Sequence, residues 1–239
     1  MSDKNAPVSL TIDDKKVEAA AGQTVLDVCQ NNGIDLPTLC EFKGLTSVGA
    51  CRLCLVEMEG TTRLLPACTT PIASNQVIRT DSERLRKHRQ VIIELFFSER
   101  NHICAVCVAN NHCELQKMGY RLGMTHVRFP YLNPPCEVDA SHHQFIMDHN
   151  RCILCTRCVR VCDEVEGAQT KDVLGRGHSA RVITDFNQPW GDSETCTSCG
   201  KCVNVCPTGA LIPKYSRQGA IEKNPKLISD LIDKRKLKI

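Results

Sequence analysis

Along the first eighty residues the apolar positions mostly alternate with polar ones, a pattern that predicts strands arranged around one helix. Val8 to Ile12 reads as a strand, Asp13-Asp14-Lys15-Lys16 as a turn and Val17 to Ala21 as the return strand. The period then changes. Thr24 with Asp27 three residues on has the form of a capping box, Val25, Val28 and Cys29 share one helical face, and Gly33 stands where such a helix stops. Leu53 to Glu59 and Arg63 to Cys68 predict a hairpin around Gly60, and Gln76 to Thr80 a last strand. The result is a small α+β domain over residues 1–80 with Cys29 in its core.

Beyond it the pattern from Asp81 to Glu99 is helical. Asp81 or Ser82 supplies the N-cap, Leu85, Val91, Ile92, Leu95 and Phe96 face inward, and Arg84, Arg86, Lys87 and Arg89 form a solvated face. Ala180 to Thr184 reads as a strand, followed by a turn at Pro189-Trp190-Gly191. Near the end, Asn224-Pro225 has the form of an N-cap with proline at the first helical position, and Leu227, Ile228, Leu231 and Ile232 make one apolar stripe. That helix is expected to fold back on its own domain.

Composition changes this picture in one respect. Aromatic residues are only 4% of the 239, whereas cysteines number 17. Apolar burial alone would give thin cores, so bound metal is expected to cross-link small modules. The first residues, MSDKNAPVSL, contain no apolar signal region, and no stretch approaches 18 uninterrupted apolar residues. Neither secretion nor a membrane span is expected, and a reducing cytoplasmic setting makes the cysteines metal ligands rather than disulfides. The net charge of +3 is concentrated in residues 214–239, which carry +5 and leave −2 for the rest. Without aromatic interleaving or a recognised nucleic-acid fold, that basic tail does not argue for nucleic-acid binding.

Eight cysteines lie in two near-copies of one pattern, CILCTRCVRVC from Cys152 to Cys162 and CTSCGKCVNVC from Cys196 to Cys206, 44 residues apart. Each has the C-x2-C-x2-C-x3-C spacing of bacterial-type 4Fe-4S ferredoxins, and the second ends in Pro207 where the first has Asp163. Three thiolates at two-residue intervals reach three irons of one cube, and in two-cluster ferredoxins the fourth cysteine of each run serves the other cluster. This assigns Cys152, Cys155, Cys158 and Cys206 to one cubane, and Cys196, Cys199, Cys202 and Cys162 to the other. Structural zinc is the alternative, but it needs only four ligands and usually takes two separated pairs. Arg151, Arg157, Arg160 and Lys201 flank the ligands as screened surface charge. Trp190 lies near the second run, as ordinary core or as a shield limiting solvent.

Within the first domain, Cys40, Cys51, Cys54 and Cys68 are spaced C-x10-C-x2-C-x13-C. The logic is that of plant-type 2Fe-2S ferredoxins with a longer first gap, where Gly44 and Gly49 would let the loop wrap a cluster and aim N–H groups at sulfur. Zinc would also be satisfied by four cysteines. Between the two regions, Cys104, Cys107 and Cys113 stand as C-x2-C-x5-C and leave a 4Fe-4S cluster one ligand short. His102 is the candidate fourth ligand, with His112 and Cys136 as competitors. Cys136 is otherwise a plain thiol.

The order of these sites resembles the electron-entry region of the large iron-sulfur subunit of respiratory complex I and its relatives, and among them the diaphorase small subunit of NAD-reducing, bidirectional nickel-iron hydrogenases. The residues carrying the resemblance are PTLC (37–40), ACRLCLVEMEG (50–60), NHICAVCVANNHCELQ (101–116), DHNRCILCTRCVRVCDEVEGA (148–168), NQPWG (187–191) and CTSCGKC (196–202). The resemblance implies a β-grasp 2Fe-2S domain (1–80), a helix with a 4Fe-4S module held by one histidine and three cysteines (81–140), and a two-cluster ferredoxin domain (141–213). A basic tail (214–239) follows. It implies an electron wire of one 2Fe-2S and three 4Fe-4S clusters between a flavin/NAD-binding diaphorase partner and the small and large nickel-iron hydrogenase subunits. FMN, NAD and the nickel-iron site would lie on those partners, since no G-x-G-x-x-G follows a predicted strand here. The complex I pattern has its histidine four residues before the first cysteine, where this chain has Arg100. The long further region of the complex I subunit does not follow, which points to a hydrogenase rather than complex I. An NAD-dependent formate dehydrogenase would use an equivalent wire.

Overall fold

The computed structural model describes residues 7–236; the first six residues, and the last three of the basic tail, lie outside the described residues. The chain divides into two compact units, Met1–Glu41 with Ser47–Ile92 and Phe42–Thr46 with Ile93–Ile239.

In the first unit, β1 (Pro7–Ile12) and β2 (Lys15–Ala20) form an antiparallel hairpin. Its turn is only Asp13-Asp14, tighter than the four residues the sequence suggests. Both aspartates have positive φ (46° and 63°), the conformation that matches hairpin twist and that Asp tolerates better than most residues. Thr24 and Asp27 make the expected capping box at the start of α1 (Val25–Asn31), with Thr24 Oγ1 accepting from Asp27 N at 3.2 Å and Asp27 Oδ2 accepting from Thr24 N at 2.8 Å. Such a cap contributes about 1 kcal/mol. Strands β3 (Leu55–Met58), β4 (Leu65–Pro66) and β5 (Val77–Arg79) complete a five-stranded sheet of order β2-β1-β5-β3-β4. Only the central β1–β5 pair is parallel. Leu10, Ile12 and Ile78 on the sheet and Val25, Val28 and Cys29 on α1 meet in one core, so Cys29 is a core residue as its helical face implies. Burial pushes its thiol up to about 12.

Helix α2 (Glu83–Glu99) starts at Ser82, whose Oγ accepts from Leu85 N at 3.2 Å. Its buried line runs through Leu85, Arg89 and Ile93, and Leu95 is 46% exposed, so the inward stripe differs from the predicted one. The reason is Arg89. Its Nε donates to Leu53 O (3.1 Å) and its Nη2 to Leu55 O and Thr80 O (2.8 Å each), satisfying carbonyls at and just outside the ends of β3 and β5. A guanidinium that supplies several buried hydrogen bonds belongs inside, not on the solvated face where its neighbours Arg84, Arg86 and Lys87 remain.

The second unit is built on the sequence repeat. A three-stranded sheet, β10-β7-β6, joins β6 (Val138–Asp139), β7 (Phe145–Asp148) and β10 (Leu211–Pro213), and β8 (Lys171–Leu174) pairs with β9 (Arg181–Thr184) as a hairpin. Helix α3 (Glu114–Arg121) precedes them. The two cysteine runs enter short helices, α4 (Arg157–Arg160) and α5 (Lys201–Val205), and the copies match at the level of single torsions. Leu154 and Thr156 have φ of 52° and 58°, and their counterparts 44 residues on, Ser198 and Gly200, have 55° and 68°. Left-handed residues at these positions turn successive N–H groups toward the loop interior, the form of an anion-binding nest. The copies part at the fourth cysteine. Asp163 lets α4 run on into a π-helical turn, Val161–Glu166, that carries Cys162, whereas Pro207 cannot extend α5 and the chain turns toward β10.

Helix α6 (Pro225–Lys236) begins as predicted, with Asn224 Oδ1 accepting from Leu227 N at 3.0 Å. Only Ile228 and Ile232 of the four-residue stripe are buried, against Phe42, Leu45, Val161, Val165 and Val205, so the helix folds back on its own unit. Gly44 makes this possible: a Cβ there would lie 2.5 Å from Ile232 Cγ2. Packing against Ile232 is thus a role for Gly44 that its position in a cysteine loop does not reveal.

Candidate metal centres

Cys40, Cys51, Cys54 and Cys68 are all buried, none more than 3% exposed. Backbone N–H groups converge on their sulfurs: Leu39 N lies 3.4 Å from Cys51 Sγ, Leu53 also donates to Cys51, Cys51 and Ala50 donate to Cys40, and Cys68 and Ala67 donate to Cys54. Gly49, with φ +62°, sets up the turn before Ala50. The sulfurs also contact one another. Hydrogen bonds from Cys51 and Cys68 hold the Cys40 thiol far below its usual value, at about 2, and the same contacts push Cys51 and Cys68 up. Four buried sulfurs that share donors suit a bound anionic iron-sulfide core.

The second centre is a cavity with about 300 Å³ of empty space, whose walls include His102, Cys104, Cys107, Cys113, Arg151 and Gly209. His102 Nε2 is buried and has no hydrogen-bond partner. Such an orphan needs an explanation, and a metal at the cavity supplies one. Burial, with Arg151 and Arg100 adding to it, holds this imidazole far below the usual histidine value, at about 3, so its lone pair is free of competition from protons. Gly209 lies close: a Cβ on it would stand 2.8 Å from Cys107 Sγ. His112 is exposed and Cys136 lines a different cavity. Arg100, at the position of the complex I histidine, is 4% exposed and donates to Cys136 Sγ (2.7 Å) and Ala180 O (2.7 Å).

The cysteines of the two runs gather in two further places. Cys152, Cys158 and Cys206 share one packed cluster, and Cys155 and Cys206 interact electrostatically. Burial pushes Cys152 and Cys155 up to about 12. Burial acts on Cys206 too, yet Lys223, together with hydrogen bonds at Thr208 and Leu211, lowers it overall. Lys223 Nζ donates to Cys206 O at 2.8 Å. Cys162 lines a cavity of about 350 Å³ together with Cys196, Cys199 and Cys202. Among the described residues no three His, Cys, Asp or Glu side chains meet around a single ion-sized point.

Several neighbours of the ligands depart from the sequence expectation or carry no signal in it. Arg157 and Arg160 are 4% and 7% exposed, so they are not screened surface charges. Arg157 grips Glu114 with both Nη groups at 2.8 and 2.9 Å and also donates to Val205 O. Trp190 is 1% exposed, and its Nε1–H donates to Cys196 Sγ at 3.2 Å, which makes it both core and sulfur partner. His142, 3% exposed, sits beside Trp190 with Nε2 3.1 Å from Ser198 Oγ and 4.0 Å from Cys196 Sγ. Lys171 lines the same cavity at 4% exposure. Neither His142 nor Lys171 carries a sequence signal, because each is a lone polar residue outside the cysteine spacing.

Comparison with known proteins places the chain in a family. Residues 5–83 match a family described as a 2Fe-2S iron-sulfur cluster binding domain, 89–128 the iron-sulfur binding region of NADH-ubiquinone oxidoreductase-G, and 144–212 the ferredoxin-like domain of NADH-quinone oxidoreductase subunit 3. The gamma subunit of NAD-reducing hydrogenase HoxS from Cupriavidus necator is 31% identical over 208 residues, covering 87% of each chain. The chain belongs to the hydrogenase gamma-subunit family. A similar solved structure is that of an NAD+-reducing [NiFe]-hydrogenase in the H2-reduced state, with a TM-score of 0.83, 33% identity and 90% of each chain covered. NADP-reducing hydrogenase subunit HndD of Solidesulfovibrio fructosivorans is 35% identical over 86% of this chain, which spans only 36% of that relative's length. The family's iron-sulfur character agrees with the sequence reading, as does the mixed layout of small sheets and helices. Among the described residues no helix is long and apolar enough to cross a membrane.

Proposed function

We propose that the chain is an electron-relay subunit carrying one 2Fe-2S and three 4Fe-4S clusters in a cytoplasmic NAD-reducing hydrogenase. Its partners would be a flavin- and NAD-binding diaphorase subunit and the small and large nickel-iron hydrogenase subunits. In this reading the 2Fe-2S cluster is held by Cys40, Cys51, Cys54 and Cys68 in a β-grasp domain, a description that the five-stranded mixed sheet and its single packed helix support. One 4Fe-4S cluster takes His102, Cys104, Cys107 and Cys113. The crossed pair takes Cys152, Cys155, Cys158 and Cys206, and Cys162, Cys196, Cys199 and Cys202.

The observation that carries the proposal is the gathering of these residues into separate sulfur-lined sites, with the orphaned Nε2 of His102 in the wall of the three-cysteine cavity. The clusters, when bound, accept and pass single electrons. The chain supplies N–H donors to sulfur, fixes the ligand positions and limits water at three of the sites. Cys199, which is exposed, is the exception. Hydride chemistry would take place on a flavin-bearing partner, which can split two electrons into single steps.

Mass spectrometry of the complex that co-purifies with the chain tests the partner assignment. A nickel-iron large subunit and a flavin subunit are expected. A molybdenum subunit in their place would make the complex a formate dehydrogenase, and a set of membrane subunits would make it a complex I.

A further inference from the structure

Lys171 begins β8 and is 4% exposed, yet among the described residues no carboxylate forms an ion pair with it. Its Nζ donates to Thr184 Oγ1 at 2.7 Å and lies 3.5 Å above the centroid of the Trp190 ring. Asp139 is near enough to act on it electrostatically, but the carboxylate oxygens of Asp139 accept from Trp190 N (2.7 Å) and Ser141 N (2.9 Å) rather than from the lysine. A buried ammonium without a counter-ion is costly unless negative charge arrives from elsewhere. The surroundings indicate where. Lys171 lines the cavity of Cys162, Cys196, Cys199 and Cys202, and the thiols that act on it are Cys202 and Cys196 of that site and Cys158 of the neighbouring one. The ring beneath it belongs to Trp190, whose own N–H reaches Cys196 Sγ at 3.2 Å.

We infer that Lys171 is the shared counter-ion of the two crossed cubane sites, and that Trp190 both seats it and donates a hydrogen bond to one of them, so that the pair raises the reduction potentials of these centres. The inference rests on the ligand assignment proposed above. A cubane gains one negative charge when it takes an electron, so a fixed cation and an N–H aimed at sulfur stabilise the reduced form more than the oxidised form. Inside the unit this effect is screened far less than at a surface. The two side chains differ in reach. The ammonium acts electrostatically on cysteines of both sites, whereas the indole N–H reaches only Cys196.

The test is a redox titration of the holoprotein followed by electron paramagnetic resonance, which reads each centre separately, on Lys171→Met, Lys171→Arg and Trp190→Phe. Lys171→Met should lower the midpoints of both cubanes, that of the Cys162/Cys196/Cys199/Cys202 centre by about 59 mV or more, a tenfold change for one electron. Lys171→Arg should return both toward the unsubstituted values. Trp190→Phe keeps the ring and should lower only the centre that contains Cys196. If Lys171→Met fails to retain its clusters, Lys171→Gln and Trp190→Phe carry the same readout. Unchanged midpoints in the substituted proteins, with all signals present, overturn the inference and leave the ligand assignment standing. Absence of two separate cubane signals from the unsubstituted protein overturns the ligand assignment itself.

Discussion

Gly209→Ala should remove one cubane and leave the rest of the protein in place. The added methyl would lie 2.8 Å from Cys107 Sγ and 3.2 Å from Ala109 Cβ. An ordinary contact needs about 3.5–4.0 Å, so the sulfur must retreat by about 0.7 Å or more, whereas metal–ligand distances hold to about 0.2 Å. Gly209 has no left-handed torsion, so alanine adds no backbone strain, and the cost to folding is overpacking alone, about 1–3 kcal/mol. Iron should therefore fall from about 14 to about 10 per chain, and one 4Fe-4S signal should vanish while the other three centres keep theirs. Gly22→Ala is the control, because its φ of +87° makes alanine strained but nothing lies within 4 Å. It should cost about 1 kcal/mol of stability and no iron. A Gly209→Ala protein with full iron and an unaltered spectrum would refute the placement of Cys107 at a cluster.

Three further outcomes follow from other parts of the molecule. His102→Ala should perturb the same 4Fe-4S spectrum as Gly209→Ala and spare the other three; unchanged spectra would place the fourth ligand elsewhere. Glu114→Ala leaves the buried Arg157 guanidinium without its half-exposed carboxylate and should lower stability by about 1–3 kcal/mol in denaturant unfolding of the holoprotein, where no measurable loss would contradict a stabilising pair. Acid should weaken the second unit through Glu94, which the Arg128 guanidinium, with Nε 2.8 Å away, holds below the ordinary carboxylate range. That contribution is present above the ordinary carboxylate value and is lost as pH falls through the depressed one, so Glu94→Gln should flatten the pH dependence of unfolding in that acid window.

Much of this protein can be read from spacing because repeated chemistry leaves repeated sequence. The 44-residue offset between the cysteine runs reappears as matched left-handed torsions at Leu154/Ser198 and Thr156/Gly200, and the difference of Asp163 against Pro207 reappears as a π-helical turn in one copy only. Capping at Thr24 and Asn224 is equally legible, since an N-cap is a local device. Buried charge is not. Arg89, Arg157, Arg160 and Lys171 look like surface residues in a linear reading, and only tertiary packing supplies the carbonyls, the Glu114 carboxylate and the Trp190 ring that let them go inside. The inward stripe of α2 escapes the sequence for the same reason: Arg89 takes an inner position while Leu95 stays exposed. At the three-cysteine site the sequence leaves a missing ligand with several candidates. Burial separates them, because His102 faces the cavity with an unpartnered Nε2 whereas His112 is exposed and Cys136 lines another cavity.

Whether the chain is a four-cluster conduit is decided by iron and acid-labile sulfide per chain, measured on protein purified without oxygen. A four-cluster chain holds about 14 irons with matching sulfide. Zinc in place of iron, or an iron count near six or below, would contradict it.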